Sequence, residues 1–209
     1  MVPPVLATSD ASAQRRDALL DAAARCFARA GFHRTTMQEV AQEAGMSPGN
    51  LYRYYPSKDA LVAGLTGRDR AAVAEDFARL QTAEGDFLEN FRELGRKHLE
   101  YQPQEKAKIC VEIWAEAARN PAIAALNAEF DREIDGHFIS LFEAAKARGD
   151  IHPSVDTRAA ASIIGKLGDG LFVRRAMAAD FDARREIDEV FTVVAALLSG
   201  AISFPKAED

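Results

Sequence analysis

Residues 35–59, TTMQEVAQEAGMSPGNLYRYYPSKD, hold two helix starts on either side of a single glycine. Thr36 stands three positions before Glu39. That is the capping-box spacing, in which each side chain satisfies a backbone N–H otherwise orphaned at a helix start. Ser47 followed by Pro48 makes the second start, as N-cap and first helical residue. Gly45 lies between them and ends the first helix within a few residues. Two short helices joined by a tight glycine turn make a helix-turn-helix, whose second helix is free to enter a DNA major groove.

The rest of the chain shows the same helical period and almost no strand signal. In AQRRDALLDAAARCFARAG, Leu20, Ala23, Ala24 and Phe27 recur at helical spacing, and Gly31 stands where a C-terminal cap belongs. Pro56 and Ser57 end the third helix and open a fourth, which runs to about Leu80 and breaks at TAEGD. Five further helices follow, divided by Pro103, Asn120-Pro121, GDIHPS and the stretch after Met177. The expectation is an all-α chain of about nine helices. Its parts are a loose N-terminal tail over 1–12, a three-helix unit over 13–60 and a larger helical body over 61–209.

Composition narrows the function classes. The 209 residues carry a net charge of −6, but residues 1–60 hold 7 basic and 6 acidic residues and the remainder 19 and 26. A polyanion would therefore meet the N-terminal part, not the acidic body. Cys26 and Cys110 are too few for a disulfide framework or a Cys-x-x-Cys zinc site, and a reducing, cytoplasmic setting fits. VVAALL, the longest apolar run, falls far short of the roughly 20 residues of a membrane helix. The N-terminus has no basic segment of the signal-peptide type.

Enzymatic and metal readings find little. None of His33, His98, His137 and His152 follows a glutamate by three positions, the arrangement of bundle di-iron sites. Glu133 and His137 share a helical face as a surface ion pair would. No nucleophile elbow or phosphate loop is present. No metal and no cofactor is expected. A helical enzyme or an interaction module is the competing class, and neither accounts for the hydroxyls gathered around residue 50.

With Val40, Ala41, Ala44, Leu51 and Tyr55 packed inward against Leu20 and Phe27, the opposite face of the third helix shows Pro48, Gly49, Tyr52 and Arg53. Gly49 permits close approach to a duplex. Arg34, Thr35, Thr36, Ser47, Tyr52, Tyr54 and Lys58 are candidate DNA contacts, mostly to phosphates. Arg53 matches guanine O6 and N7, or else clasps a phosphate. Asn50 is a second base candidate or a turn residue, and Pro48 touches a thymine methyl or merely starts the helix.

The stretch LLDAAARCFARAGFHRTTMQEVAQEAGMSPGNLYRYYPSKDALV resembles the DNA-binding domain of the TetR (tetracycline-repressor) family of bacterial regulators. Phe27, Gly31, Thr36, Ala44, Gly45, Gly49, Leu51, Tyr52, Tyr55, Lys58 and Leu61 carry the likeness. It implies an N-terminal DNA-binding domain and a C-terminal domain that binds an effector and dimerises. The partners so implied are double-stranded operator DNA, a small-molecule effector and a second copy of the chain. No membrane is among them. The likeness also implies phosphate contacts at Thr36, Ser47, Tyr52, Tyr54 and Lys58, with Pro48, Gly49 and Arg53 nearest the bases. Tyr54 departs from the histidine many members have there.

In the larger body, Phe87, Phe91, His98, Cys110, Trp114, Phe130, Ile134 and Phe138 recur at helical spacing and are candidates to line an effector pocket or simply to fill a core. Around VEIWAEAARNPAIA the chain loosely resembles the choline- and pyrimidine-pathway regulators of the family. Ile164, Gly168, Leu171, Phe172, Val190, Val194 and Leu197 lie on apolar faces of the last two helices. They form a four-helix interface between subunits, as the likeness implies, or complete the monomer core.

Overall fold

The computed structural model describes residues 7–202, and within them nine helices and no strand. They are α1 (Ala7–Ala30), α2 (Met37–Glu43), α3 (Pro48–Tyr54), α4 (Lys58–Gln81), α5 (Phe87–Leu99), α6 (Gln104–Ala117), α7 (Pro121–Arg148), α8 (Thr157–Met177) and α9 (Ala183–Leu198). Short polar side chains start most of them. Asp86, Asp156 and Asp182 cap α5, α8 and α9 by accepting backbone N–H groups of the first turn. α1 begins at Ala7, so residues 7–12 of the expected tail are helical. No proline follows Pro4 there, and alanine favours helix.

Two compact units emerge, one of residues 1–68 and 109–127, the other of 69–108 and 128–209. The first unit takes in α1, α2 and α3, the start of α4, the later part of α6 and the start of α7. Its core joins Leu19, Leu20, Phe27, Val40, Leu51, Leu61 and Ile123, all fully or almost fully buried. The inward set expected from periodicity is thus the set found. Gly45 turns between α2 and α3 at φ +65°, where a side chain would be strained.

The second unit is built on rings. Phe77, Phe87, Phe91, Phe142 and Phe191 pack with Leu141, Ile164, Ile187, Val194, Leu197 and Leu198. Among the described residues no helix is long and apolar enough to cross a membrane.

Candidate nucleic-acid interface

α2 and α3 are short helices fixed by their starts. The Thr36 backbone N–H donates to Glu39 Oε2 at 2.7 Å, and the Glu39 N–H donates to Thr36 Oγ1 at 3.2 Å. The bond from the Thr36 backbone, with that from its hydroxyl, holds the Glu39 carboxyl below its ordinary pKa. Ser47 Oγ accepts the Asn50 N–H at 3.4 Å to start α3. Buried Leu51 and Tyr55 then set the rotation of α3.

That rotation leaves a polar face outside. Ser47, Pro48, Gly49 and Arg53 are exposed, and Tyr52 is 50% exposed. A Cβ added at Gly49 would meet nothing within 4 Å. Arg34 and Thr36 are exposed nearby in sequence. Among the described residues the side chains of Arg34, Tyr52 and Arg53 make no hydrogen bond or ion pair.

Four candidates have partners within the protein. Thr35 is 2% exposed, and its hydroxyl donates to the carbonyls of Cys26 (3.2 Å) and Gly31 (2.9 Å). With Thr36 as the N-cap of α2, its predecessor is turned back to the orphaned carbonyls that end α1. Lys58 donates through Nζ to the carbonyls of Phe32 (2.6 Å) and His33 (3.3 Å), with its charge 4.4 Å from the Phe32 ring centre. It is a tie for the corner after α1 and not a cation held out to solvent. Asn50 Nδ2 points back to Met46 Sδ at 3.7 Å. Tyr54 is half-buried, with the Arg16 guanidinium 6.0 Å from its ring centre.

Sequence reasoning missed two carboxylates. Glu112 on α6 accepts the Phe32 N–H at 2.9 Å. Glu116, one turn later and 5% exposed, lies 2.8 Å from His33 Nε2. Burial alone would raise the Glu116 carboxyl, but bonds from Arg119 and Asn120 and the His33 charge hold it below its ordinary pKa. The only signal was two glutamates four apart on one face of α6, which names no partner.

The expected pocket residues are divided between the two units. Cys110 and Trp114 belong to the first unit, and the other six to the second. There Phe91 sits at 5.9 Å from Phe87 and 5.9 Å from Phe138, with Phe142 5.5 Å and Phe191 5.4 Å away, ring centre to ring centre. These rings fill a core. Phe130 and Ile134 are half-buried on α7. His98 Nε2 stands 3.1 Å from buried Asp76 Oδ2, although neither atom finds hydrogen-bond geometry there. A depression of about 300 Å³ lined by Leu80, Glu84, Phe87, Asn90, Arg148 and Asp150 borders only Phe87 of the eight.

The expected interface residues also divide. Ile164, Val194 and Leu197 are 7%, 1% and 3% exposed and belong to the core of the second unit. Leu171, Phe172 and Val190 are half-buried against that core, and Gly168 faces open space. The apolar side chains that α8 and α9 leave outside are Val173, Met177 and Val193.

Comparison with known proteins decides the family. Residues 19–65 match the pattern described as bacterial regulatory proteins of the tetR family. Residues 98–199 match the C-terminal pattern of BetI-type transcriptional repressors. The chain belongs to the TetR family. As a TetR-family protein it is a DNA-binding transcriptional regulator and not an enzyme. It is 28% identical to the HTH-type transcriptional regulator UidR of Escherichia coli K12 over 68% of this chain and 71% of that protein. The solved structure of Salmonella enterica GusR superposes with a TM-score of 0.76 at 28% identity, covering 88% of this chain and 95% of that one. FadR of Bacillus subtilis, solved in complex with stearoyl-CoA, shares the fold with a TM-score of 0.74 at 18% identity over 88% and 97%.

Proposed function

We propose that this TetR-family protein is a cytoplasmic, homodimeric repressor that a small molecule releases from its operator, with residues 13–60 reading DNA and 61–209 binding effector and partner. The observation that carries the DNA part is the outer face of α3. Core residues fix its rotation, and what it presents is Ser47, whose hydroxyl caps the helix, with Pro48, Gly49, Tyr52 and Arg53. Arg53 reads a guanine edge, while Ser47 and Tyr52 donate hydroxyls to phosphates. One seven-residue helix reads few base pairs, so two-fold symmetry is needed for selectivity. Val173, Met177 and Val193, exposed on α8 and α9, favour those helices as the dimer face. The C-terminal likeness to BetI-type repressors and the stearoyl-CoA bound by FadR support an effector site in the larger body. Such an effector lowers operator affinity by the difference in its affinity for the two dimer states.

Selection of bound fragments from sheared genomic DNA, followed by titration, tests the reading. Enrichment of a two-fold symmetric site is expected. Arg53→Ala should weaken that site by about 1–3 kcal/mol more than it weakens random duplex. No enrichment over random DNA would overturn it. Equal loss on both duplexes would move Arg53 from base to phosphate.

A further inference from the structure

Seven basic residues lie in residues 1–60. Arg25 and Arg29 share the one carboxylate of Glu43, and Lys58 is spent on backbone carbonyls. Arg15, Arg16, Arg34 and Arg53 pair with no carboxylate among the described residues. Three of these four gather at Tyr54. The Arg16 guanidinium lies 6.0 Å from its ring centre, and the charges of Arg15 and Arg53 act on its hydroxyl. Arg15 and Arg16 are exposed on α1. They precede residue 19, where the match to the family pattern begins, so that pattern does not supply them.

We infer that the N-terminal part of α1 is a second DNA-contacting element, in which Arg15, Arg16 and Tyr54 clasp backbone phosphates beside the groove that α3 reads. This rests on the DNA-binding reading above and extends it to residues outside the helix-turn-helix. Two physical arguments support it. Three guanidiniums near one tyrosine repel each other, and none of them forms an ion pair among the described residues; a polyanion relieves that repulsion. The hydroxyl of Tyr54 is also suitably prepared. The bond from Arg15, its largest influence, and one from Ser12 hold the phenol below its ordinary pKa, as donors to its oxygen do. A phenol oxygen that accepts such bonds keeps its own O–H to donate.

The partner is duplex DNA of any sequence, so the test does not depend on knowing the operator. Wild type, Arg15→Ala/Arg16→Ala and Arg15→Lys/Arg16→Lys are titrated with a labelled random-sequence duplex and with the selected site at several salt concentrations. Each phosphate contact contributes about 0.9 to the slope of log K against log salt. The alanine pair should therefore lower the slope by about 1.8 per subunit, equally on both duplexes. The lysine pair should keep the slope, because it keeps the charge. Tyr54→Phe should weaken binding with the slope unchanged, since it removes a donor and not a charge. Thermal melting of each variant reports folding separately. If the alanine pair melts at a lower temperature yet keeps the wild-type slope, the arginines only brace Tyr54 and the inference fails. If wild type binds neither duplex, the DNA-binding reading fails with it.

Discussion

The corner after α1 and the aromatic core of the second unit are held by opposite means. At the corner a few polar side chains bind backbone groups at set distances: Glu112 the Phe32 N–H, Lys58 the Phe32 and His33 carbonyls, Thr35 the carbonyls that end α1. Directional bonds of this kind fix where α2 begins, and so where α3 presents its outer face. The core of the second unit has no such directionality. Phe87, Phe91, Phe138, Phe142 and Phe191 touch edge to face or offset, and many weak contacts add up. Such a core is strong, but ring packing has several near-equal solutions. A region that must place a recognition helix is tied by hydrogen bonds. A region expected to respond to a small molecule is packed with adaptable rings.

The comparison predicts a large gap in stability between the two kinds of change. Phe91→Ala removes the ring that four others touch and should cost about 3–5 kcal/mol, read by chemical denaturation. A cost below about 1 kcal/mol would mean that the cluster collapses around the gap, as a loosely packed site does. At the corner, Glu112→Ala leaves the Phe32 N–H without its acceptor in a half-buried place. That should cost about 1–3 kcal/mol. Glu112→Gln keeps an oxygen acceptor and should recover most of the loss. If glutamine is as costly as alanine, it is the charge of Glu112 and not its acceptor that holds the corner.

The corner and the core also differed in how far the sequence disclosed them. Thr36, Glu39, Gly45, Ser47 and Pro48 act on neighbours in the chain, so spacing alone named their roles and the rotation of α3. Thr35 was misplaced because two adjacent threonines look alike until the N-cap register is fixed. Lys58, Glu112 and Glu116 act on residues far away in sequence, and no period reports that. Val194 and Leu197 were expected at an interface, but a core face and a dimer face are both apolar. Only the rotation of α9 separates buried Val194 from exposed Val193. The pocket expected at Phe91 and Phe138 shared that ambiguity, and there the rings are in contact.

The smallest expected effect concerns a buried carboxylate set into the ring-built unit. Asp76 is 5% exposed beside His98, with Lys97 and Arg79 also bonded to its carboxylate. Burial pushes the His98 pKa down, and the charges of Lys97 and Lys106 add to this against the pull of Asp76. Folded protein therefore keeps His98 neutral at a pH where the unfolded chain takes up a proton. The unfolded state binds more protons there, so stability falls as pH drops below the ordinary histidine value of about 6.5, until the folded pKa is passed. Asp76 does not contribute in that window. Burial would raise its carboxyl, but bonds from Lys97 and Arg79 hold it below the ordinary value, so its contribution is lost only in stronger acid. Thermal melting of wild type and His98→Gln at about pH 7.5 and about pH 5.5 isolates the effect from the other histidines. The wild type should lose more melting temperature on acidification than the variant does. Equal losses would show that His98 takes its proton as readily in the folded protein as in the unfolded chain, and that the charged node around Asp76 accommodates it.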